Sequence, residues 1–233
     1  MKKRFSFIFI LLAFVFTISS ITTATKPKAF ADVVNLQTKC KSALLIDADS
    51  NTVIFNHNEE ERLPIASMCK IMTLLLCFEA IDNGKIKNDD VVVISENASG
   101  MGGSQIFLET NGEYIVGELI KGITVASAND ACVAMAETIC GSESSFIDLM
   151  NERAQQLGMN NTNFTNCTGL PKVGQYSCAK DVATMFSELI KHEEYFRFSK
   201  IWTDIISHPK DRFDCGMNII TCNSNYVTRN KSI

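Results

Sequence analysis

The sequence predicts an α+β domain in which an antiparallel sheet packs against a helical block. Three observations lead there. Strand-like runs stand near the start, at 42–47 and 52–55, and one returns near the end, at 217–221. Between them lies a block of apolar residues recurring at helical spacing. No internal repeat, low-complexity tract or interdomain linker breaks that order, and strands on both sides of a helical block describe helices laid on an antiparallel sheet.

Residues 1–31 are expected to be a cleaved secretory signal. Lys2, Lys3 and Arg4 head an apolar run from Phe5 to about Ile18, and Ala29-Phe30-Ala31 supplies an A-x-A site. The run falls short of the ~20 apolar residues of a comfortable membrane span. Membrane contact is therefore expected only if the segment stays uncleaved, and residues 32–233 form an exported, extracytoplasmic domain, on the wall side of the membrane or secreted.

Ser42–Asp47 reads as a buried strand, Ala48-Asp-Ser-Asn51 as a turn and Thr52–Phe55 as the second arm of a hairpin. After Pro64, Ile65, Met68, Ile71, Met72, Leu75 and Phe78 recur at three- and four-residue steps, which predicts a long helix ending near Asn83-Gly84. Val91–Ile94 reads as a short strand and Gly100–Ser104 as a flexible loop. Further helices are predicted over Tyr114–Ile123, over Ala131–Ile139 with Asn129-Asp130 as capping residues, over Glu143–Leu157 before Gly158, and over Asp181–His192. Asn160–Tyr176 carries no periodicity. Beyond Ser207 the chain turns extended, with a strand at Met217–Thr221.

Residues 1–31 hold five of the 22 Lys and Arg and none of the 26 Asp and Glu, so residues 32–233 carry 17 basic against 26 acidic side chains. Such a domain, with no basic stretch, is a poor ligand for nucleic acid, and none is expected as a partner. Nine cysteines occur, an odd number, without a C-x-x-C, and there are three histidines, His57, His192 and His208. No zinc-type spacing results, and no metal or other cofactor is expected. Most of the cysteines read as small apolar core residues, with a disulfide left open for one or two pairs.

Ser67-Met-Cys-Lys70 opens the first long helical pattern. Residues i and i+3 share a helix face, with Cβ atoms about 5–6 Å apart. The Lys70 amine can therefore meet the Ser67 hydroxyl, and a serine hydroxyl needs such a base to become a nucleophile. Free N–H groups at the helix start could serve a developing oxyanion. Taken alone, the four residues read more plainly as an exposed serine–lysine pair on a helix surface. Ser127-Ala-Asn129 lies in the short link between two apolar helical patterns. It reads either as an ordinary N-cap or as a corner pushing two polar side chains into a cleft. The two motifs together are far less expected by chance than either alone.

Ile65–Thr73, Met101-Gly-Gly-Ser-Gln105 and Ala126-Ser-Ala-Asn-Asp-Ala131 resemble the serine-type D-alanyl-D-alanine carboxypeptidases, low-molecular-mass penicillin-binding proteins, with the sporulating Gram-positive members closest. Asn166-Cys-Thr-Gly-Leu-Pro171 is similar to a segment further along the same family. The resemblance spans about Ser42 to Asn230. It implies a penicillin-binding, β-lactamase-like transpeptidase fold. It also implies peptidoglycan stem peptide and β-lactam antibiotics as partners, and removal of the terminal D-alanine through an acyl-enzyme. On these terms Ser67 is the nucleophile, Lys70 accepts its proton, Ser127 relays a proton toward the leaving D-alanine and Asn129 binds the substrate's peptide amide.

The family's third motif, K-T-G, does not occur. In the family that strand lines the cleft opposite the serine, and its lysine holds the substrate carboxylate. The resemblance therefore implies a domain incomplete at its C-terminus and weak or absent turnover, since loss of one oxyanion donor alone costs about 10²–10³ in rate. A non-catalytic penicillin- or wall-binding module is the alternative of a different class.

Overall fold

The computed structural model describes residues 38–208 and the backbone of 217–221. The expected signal at 1–31, Cys215, Cys222 and the final residues lie outside the described residues.

Strand β1 (Ala43–Ile46) pairs antiparallel with β2 (Val53–His57), Ala43 opposite His57 and Leu45 opposite Phe55, with a register shift between Leu45 and Ile46. The hairpin turn is closed as the sequence predicts. Asp47 Oδ1 accepts from Ser50 N and Ser50 Oγ, and Asn51 takes a positive φ of 54°, a conformation Asn tolerates. The chain then makes one bridge, Leu63 with Ser177, its two N–H···O bonds 2.8 and 3.0 Å long. That bridge delivers Pro64 and Ile65 to a 3₁₀ turn, Ala66–Cys69, which runs straight into helix α1, Lys70–Asp82.

Helix α1 is the centre of the domain. The predicted stripe understates it, because Met72, Thr73, Leu74, Leu75, Leu76, Cys77 and Phe78 are all buried. A helix apolar on every side must be surrounded. Here α6 (Ala179–Leu189) lies along one flank and α4 (Asn129–Cys140) along another, while α3 (Val116–Ala126) and α5 (Glu143–Gln156) pack on α4. Gly84, at φ +68°, ends the α1 segment where the Asn-Gly pair indicates.

Three stretches differ from expectation. The stretch expected to be helical from Tyr114 begins as strand β4 (Glu113–Ile115), paired antiparallel with β3 (Val91–Val93), so helix α3 starts only at Val116. Val92 and Tyr114 point inward while Val91, Val93 and Ile115 are exposed, the two-residue alternation of a strand. The first N–H groups of α3 are taken by backbone carbonyls, Val116 by Asp90 and Gly117 by Asn88. No side-chain cap marks that start. Second, a short helix α2 (Glu96–Ser99) forms with Ser95 Oγ accepting from Ala98 N. Third, α7 (Tyr195–Ser199) and β5 (Thr203–Ser207) precede the predicted final strand β6 (Met217–Thr221), and β5 and β6 pair antiparallel. Among the described residues the strands form three separate two-stranded ladders around the helical block. The class remains α+β with antiparallel pairing, as predicted.

Candidate active site

Ser67 does not sit at the mouth of an α-helix. It occupies the 3₁₀ turn before α1, and Lys70 is the first residue of the helix itself. In a 3₁₀ turn residues i and i+3 eclipse, which aligns the two side chains more directly than an α-helical start would. Ser67 is exposed, Lys70 is buried, and the Lys70 amine lies 3.3 Å from Ser67 Oγ. Ala66 enters the turn at φ +46°, a strained conformation for a residue with a Cβ.

The turn is stitched to the loop at 166–170. Three consecutive carbonyls of that loop receive hydrogen bonds from one side of the turn and helix. Cys69 Sγ donates to Asn166 O at 3.3 Å, Thr73 Oγ1 to Cys167 O at 2.7 Å, and Lys70 Nζ to Thr168 O at 2.7 Å. Gly169 then lies on the Ala66–Ser67 peptide, where a Cβ would stand 2.0 Å from Ala66 O. Sequence reasoning assigned no role to Asn166, Thr168 or Gly169. The Asn-x-Thr-Gly run was the available signal, since Asn side chains bond the backbone two residues on and Gly takes positive φ.

Ser127 caps α3 in the left-handed region, φ 56° and ψ 39°, and turns the chain into α4 within one residue. Its hydroxyl is buried and makes no hydrogen bond. The expected capping by Asn129 and Asp130 is not what the structure contains. The N-cap of α4 is Ala128, and Asn129 and Asp130 lie inside the helix. Asn129, only 3% exposed, donates Nδ2 to Gly102 O at 2.7 Å, and its N–H goes to Ser104 O. Asp130 is fully buried. Its carboxylate accepts from Ile106 N, Leu108 N and Ala131 N at 2.9–3.2 Å.

Gly103, at φ +81°, joins these pieces. A Cβ there would meet Asn129 Nδ2 at 2.7 Å and Leu170 Cδ2 at 3.6 Å. Leu170 follows the Gly169 that touches Ala66. The segments at 66–70, 102–104, 127–130 and 166–170, remote in sequence, therefore converge. An open cleft of about 470 Å³ runs beside the turn, lined by Pro64, Ile65, Ala66, Gly169, Leu170 and residues just beyond.

Thiols fill the space behind the amine. Burial pushes the Cys69 thiol up to about 12 against the pull of Lys70 beside it, and burial raises Cys132 well above its ordinary value in the same way. Among the described residues no group of three or more His, Cys, Asp or Glu side chains is arranged to hold a metal ion.

What this arrangement can do chemically is limited and specific. It offers an exposed hydroxyl with a fixed amine at hydrogen-bond reach, a second buried hydroxyl at a strained corner, and an open cleft alongside. These are the parts of nucleophilic acyl transfer.

Known proteins share the arrangement's sequence and fold. The family described as D-alanyl-D-alanine carboxypeptidase, peptidase S11, matches residues 24–233. The D-alanyl-D-alanine carboxypeptidase DacF of Bacillus subtilis is 49% identical over 191 residues, 80% of this chain and 49% of its own length. DacA of Haemophilus influenzae is 36% identical over 213 residues, 86% of this chain and 54% of its own. Among solved structures, penicillin-binding protein 5 of H. influenzae superposes with a TM-score of 0.74 at 32% identity, over 82% of this chain and 54% of that one. DacD of Francisella tularensis gives 0.74 at 30% identity, over 81% and 49%. The chain thus spans about half the length of the curated relatives it matches. With a family match running from residue 24 to residue 233 and a shared penicillin-binding fold, this chain belongs to the peptidase S11 family of D-alanyl-D-alanine carboxypeptidases.

Proposed function

We propose that this chain forms an acyl-enzyme on Ser67 with substrates ending in D-Ala-D-Ala, acting outside the cytoplasm on peptidoglycan stem peptide, and that β-lactams acylate the same serine. The observation that carries the reading is the Lys70 amine, buried, 3.3 Å from the Ser67 hydroxyl and held at 2.7 Å by the Thr168 carbonyl. Lys70 takes the Ser67 proton as Oγ attacks the carbonyl of the penultimate D-alanine, and D-alanine leaves as the C–N bond breaks. Ser127, with its buried unbonded hydroxyl, is the relay that returns the proton to the leaving amine. Water then hydrolyses the ester. Asn129 keeps its carbonyl oxygen for a substrate N–H while its Nδ2 stays on Gly102.

A fluorescent penicillin tests this directly. Covalent labelling that disappears in Ser67→Ala, falls by about 10²-fold or more in Lys70→Ala, and maps to the Ser67 peptide supports the reading. Labelling indifferent to Ser67→Ala overturns it. No labelling together with measurable affinity for a stem pentapeptide turns the assignment to a binding module.

A further inference from the structure

A lysine amine ends a flexible four-carbon stem, and it points reliably only where its hydrogens are fixed. Lys70 has one acceptor that never changes role. Thr168 O is a carbonyl and can only accept, so it takes an N–H from Lys70 whether the amine is charged or neutral. In the neutral amine, two N–H bonds and one lone pair remain. Committing one N–H to Thr168 limits rotation about the Cε–Nζ bond and leaves the lone pair to be presented to Ser67. The direction of the Thr168 carbonyl therefore decides the direction of the base.

That carbonyl lies in a loop with no helix or strand to hold it, and the hydrogen bonds that hold it converge on one side chain. Asn166 is buried. Its Oδ1 accepts from Gly169 N at 2.7 Å and, at 3.2 Å each, from Thr168 N, Thr168 Oγ1 and Gln175 Nε2. Its Nδ2 donates to Leu170 O at 2.8 Å. Gln175 completes the bracket, its Oε1 accepting from Asn166 N and Thr165 N at 3.0 Å and from Thr165 Oγ1 at 3.2 Å. The amide of Asn166 thus fixes the peptide planes on both sides of the Thr168 Cα, including the plane that carries the Thr168 carbonyl. It also seats Gly169 against the Ala66–Ser67 peptide.

We propose that Asn166 is a positioning residue for acylation, holding the Thr168 carbonyl as the fixed acceptor that aims the Lys70 amine at Ser67. The inference deepens the proposed function and rests on its reading of Ser67 and Lys70 as nucleophile and base. Asn166 acts through Thr168 and touches no reacting atom. The thiols of Cys69 on the turn and Cys132 on α4 face the amine, with Asp130 on α4, Glu143 at the start of α5 and Cys167 on the loop next to those thiols, and none of these residues is replaced by substituting Asn166.

Two substitutions separate aiming from general support. Asn166→Ala removes every bond to Thr168 and Gly169. Asn166→Asp keeps the accepting oxygen, loses the donation to Leu170 O, and adds a carboxylate two residues before the carbonyl that Lys70 uses. On the full chain, Asn166→Ala is expected to lower the rate constant of acylation by a fluorescent penicillin about 10²-fold, the scale of a misplaced catalytic group, with circular dichroism unchanged. Asn166→Asp is expected to retain more rate and to move the pH profile of acylation to higher pH, because added negative charge favours the ammonium form. A rate loss that only tracks the folded fraction, with an unmoved pH profile, overturns the proposal. A second readout is independent of acylation. With ¹³Cε-labelled lysine, the Lys70 resonance, assigned by its loss in Lys70→Arg, is expected to change its chemical shift in both variants as the amine leaves the Thr168 carbonyl. An unchanged resonance overturns the role of Asn166, whereas absent acylation of the wild-type chain overturns the reading of the site.

Discussion

Gly169 rests on the backbone of Ala66 so closely that a Cβ at residue 169 would lie 2.0 Å from the Ala66 carbonyl oxygen and 2.9 Å from Ser67 N. Its φ of +86° is also a conformation that side chains resist. Gly169→Ala therefore combines left-handed strain of roughly 1–2 kcal/mol with overpacking of roughly 1–3 kcal/mol. A stability loss of about 2–5 kcal/mol is expected in urea unfolding. A loss under about 1 kcal/mol would show that the turn yields without cost. Fluorescent penicillin labelling should fall with it, because the atoms displaced belong to the serine's own peptide.

Asp130 supports the opposite side of the site. Its buried carboxylate serves Ile106 N, Leu108 N and Ala131 N, and it holds Phe107 between the first two at φ +59° with that residue 62% exposed. Asp130→Ala takes the carboxylate away from three backbone donors, and a loss of about 3 kcal/mol is expected. Asp130→Asn, which keeps one accepting oxygen, should lose less. Amide exchange gives the local check, with protection at Ile106 and Leu108 falling first. Protection unchanged at both in Asp130→Ala would contradict the assignment.

Lys121 links α3 to β5. Its amine lies 2.8 Å from Glu118 Oε2, 3.0 Å from Asp204 Oδ2 and 3.2 Å from Ile205 O. Burial alone would lower the amine, but Glu118 and Asp204 outweigh it and hold it above its ordinary value. The hydrogen bond from Ile205 N, then Lys121, holds the Asp204 carboxyl below its ordinary value. The depressed carboxyl contributes fully above its unfolded value of about 3.9 and loses that contribution as pH falls through the folded one. The raised amine contributes fully below its unfolded value of about 10.4 and loses it as pH rises through the folded one. Lys121→Met should cost about 1–2 kcal/mol at neutral pH, since both carboxylates are partly exposed. The Tm difference from wild type should shrink below about pH 4 and above about pH 10. A difference independent of pH would mean that packing, not charge, joins β5 to the helices.

The thiols are expected to divide sharply in reactivity. Cys40 is exposed, while Cys69, Cys77, Cys132 and Cys167 are buried, with their thiols pushed upward chiefly by burial. Since the thiolate is the reactive form, iodoacetamide at pH 8 should modify Cys40 within minutes and leave those four untouched until urea unfolds the chain. Peptide mass mapping decides it, and native-rate alkylation of Cys69 would refute the burial described.

Much of the fold was legible because its signals are local. The hairpin at 43–57 is announced by Ala48-Asp-Ser-Asn51, although the residue that closes the turn, Asp47, reads as strand, and the ends of α1 and α5 are announced by Gly84 and Gly158. The start of α3 was not, because Tyr114 and Ile115 extend its apolar run and its first N–H groups bond to carbonyls at residues 88 and 90 instead of a side-chain cap. Ser67 and Lys70 were legible because three residues of local geometry bring them together. Asn129 stood out in the sequence, but its bond to Gly102 did not, since nothing in either segment encodes their approach. Thr168 was invisible for the same reason, as it acts through a backbone carbonyl, which every residue possesses.

The three bonds that bind the serine turn to its loop join residues 97, 98 and 94 positions apart in the chain. Closing loops of that size is entropically unfavourable and slow compared with winding α1. In a chain still leaving the ribosome, helix α1 can exist while Lys70 still has no carbonyl to grip. The bonded arrangement of Ser67, Lys70 and Thr168 should therefore assemble in one late step, when residues 166–169 dock, rather than growing gradually as helices form. A fragment ending before residue 166 would keep the serine and the lysine and lack the means to orient them.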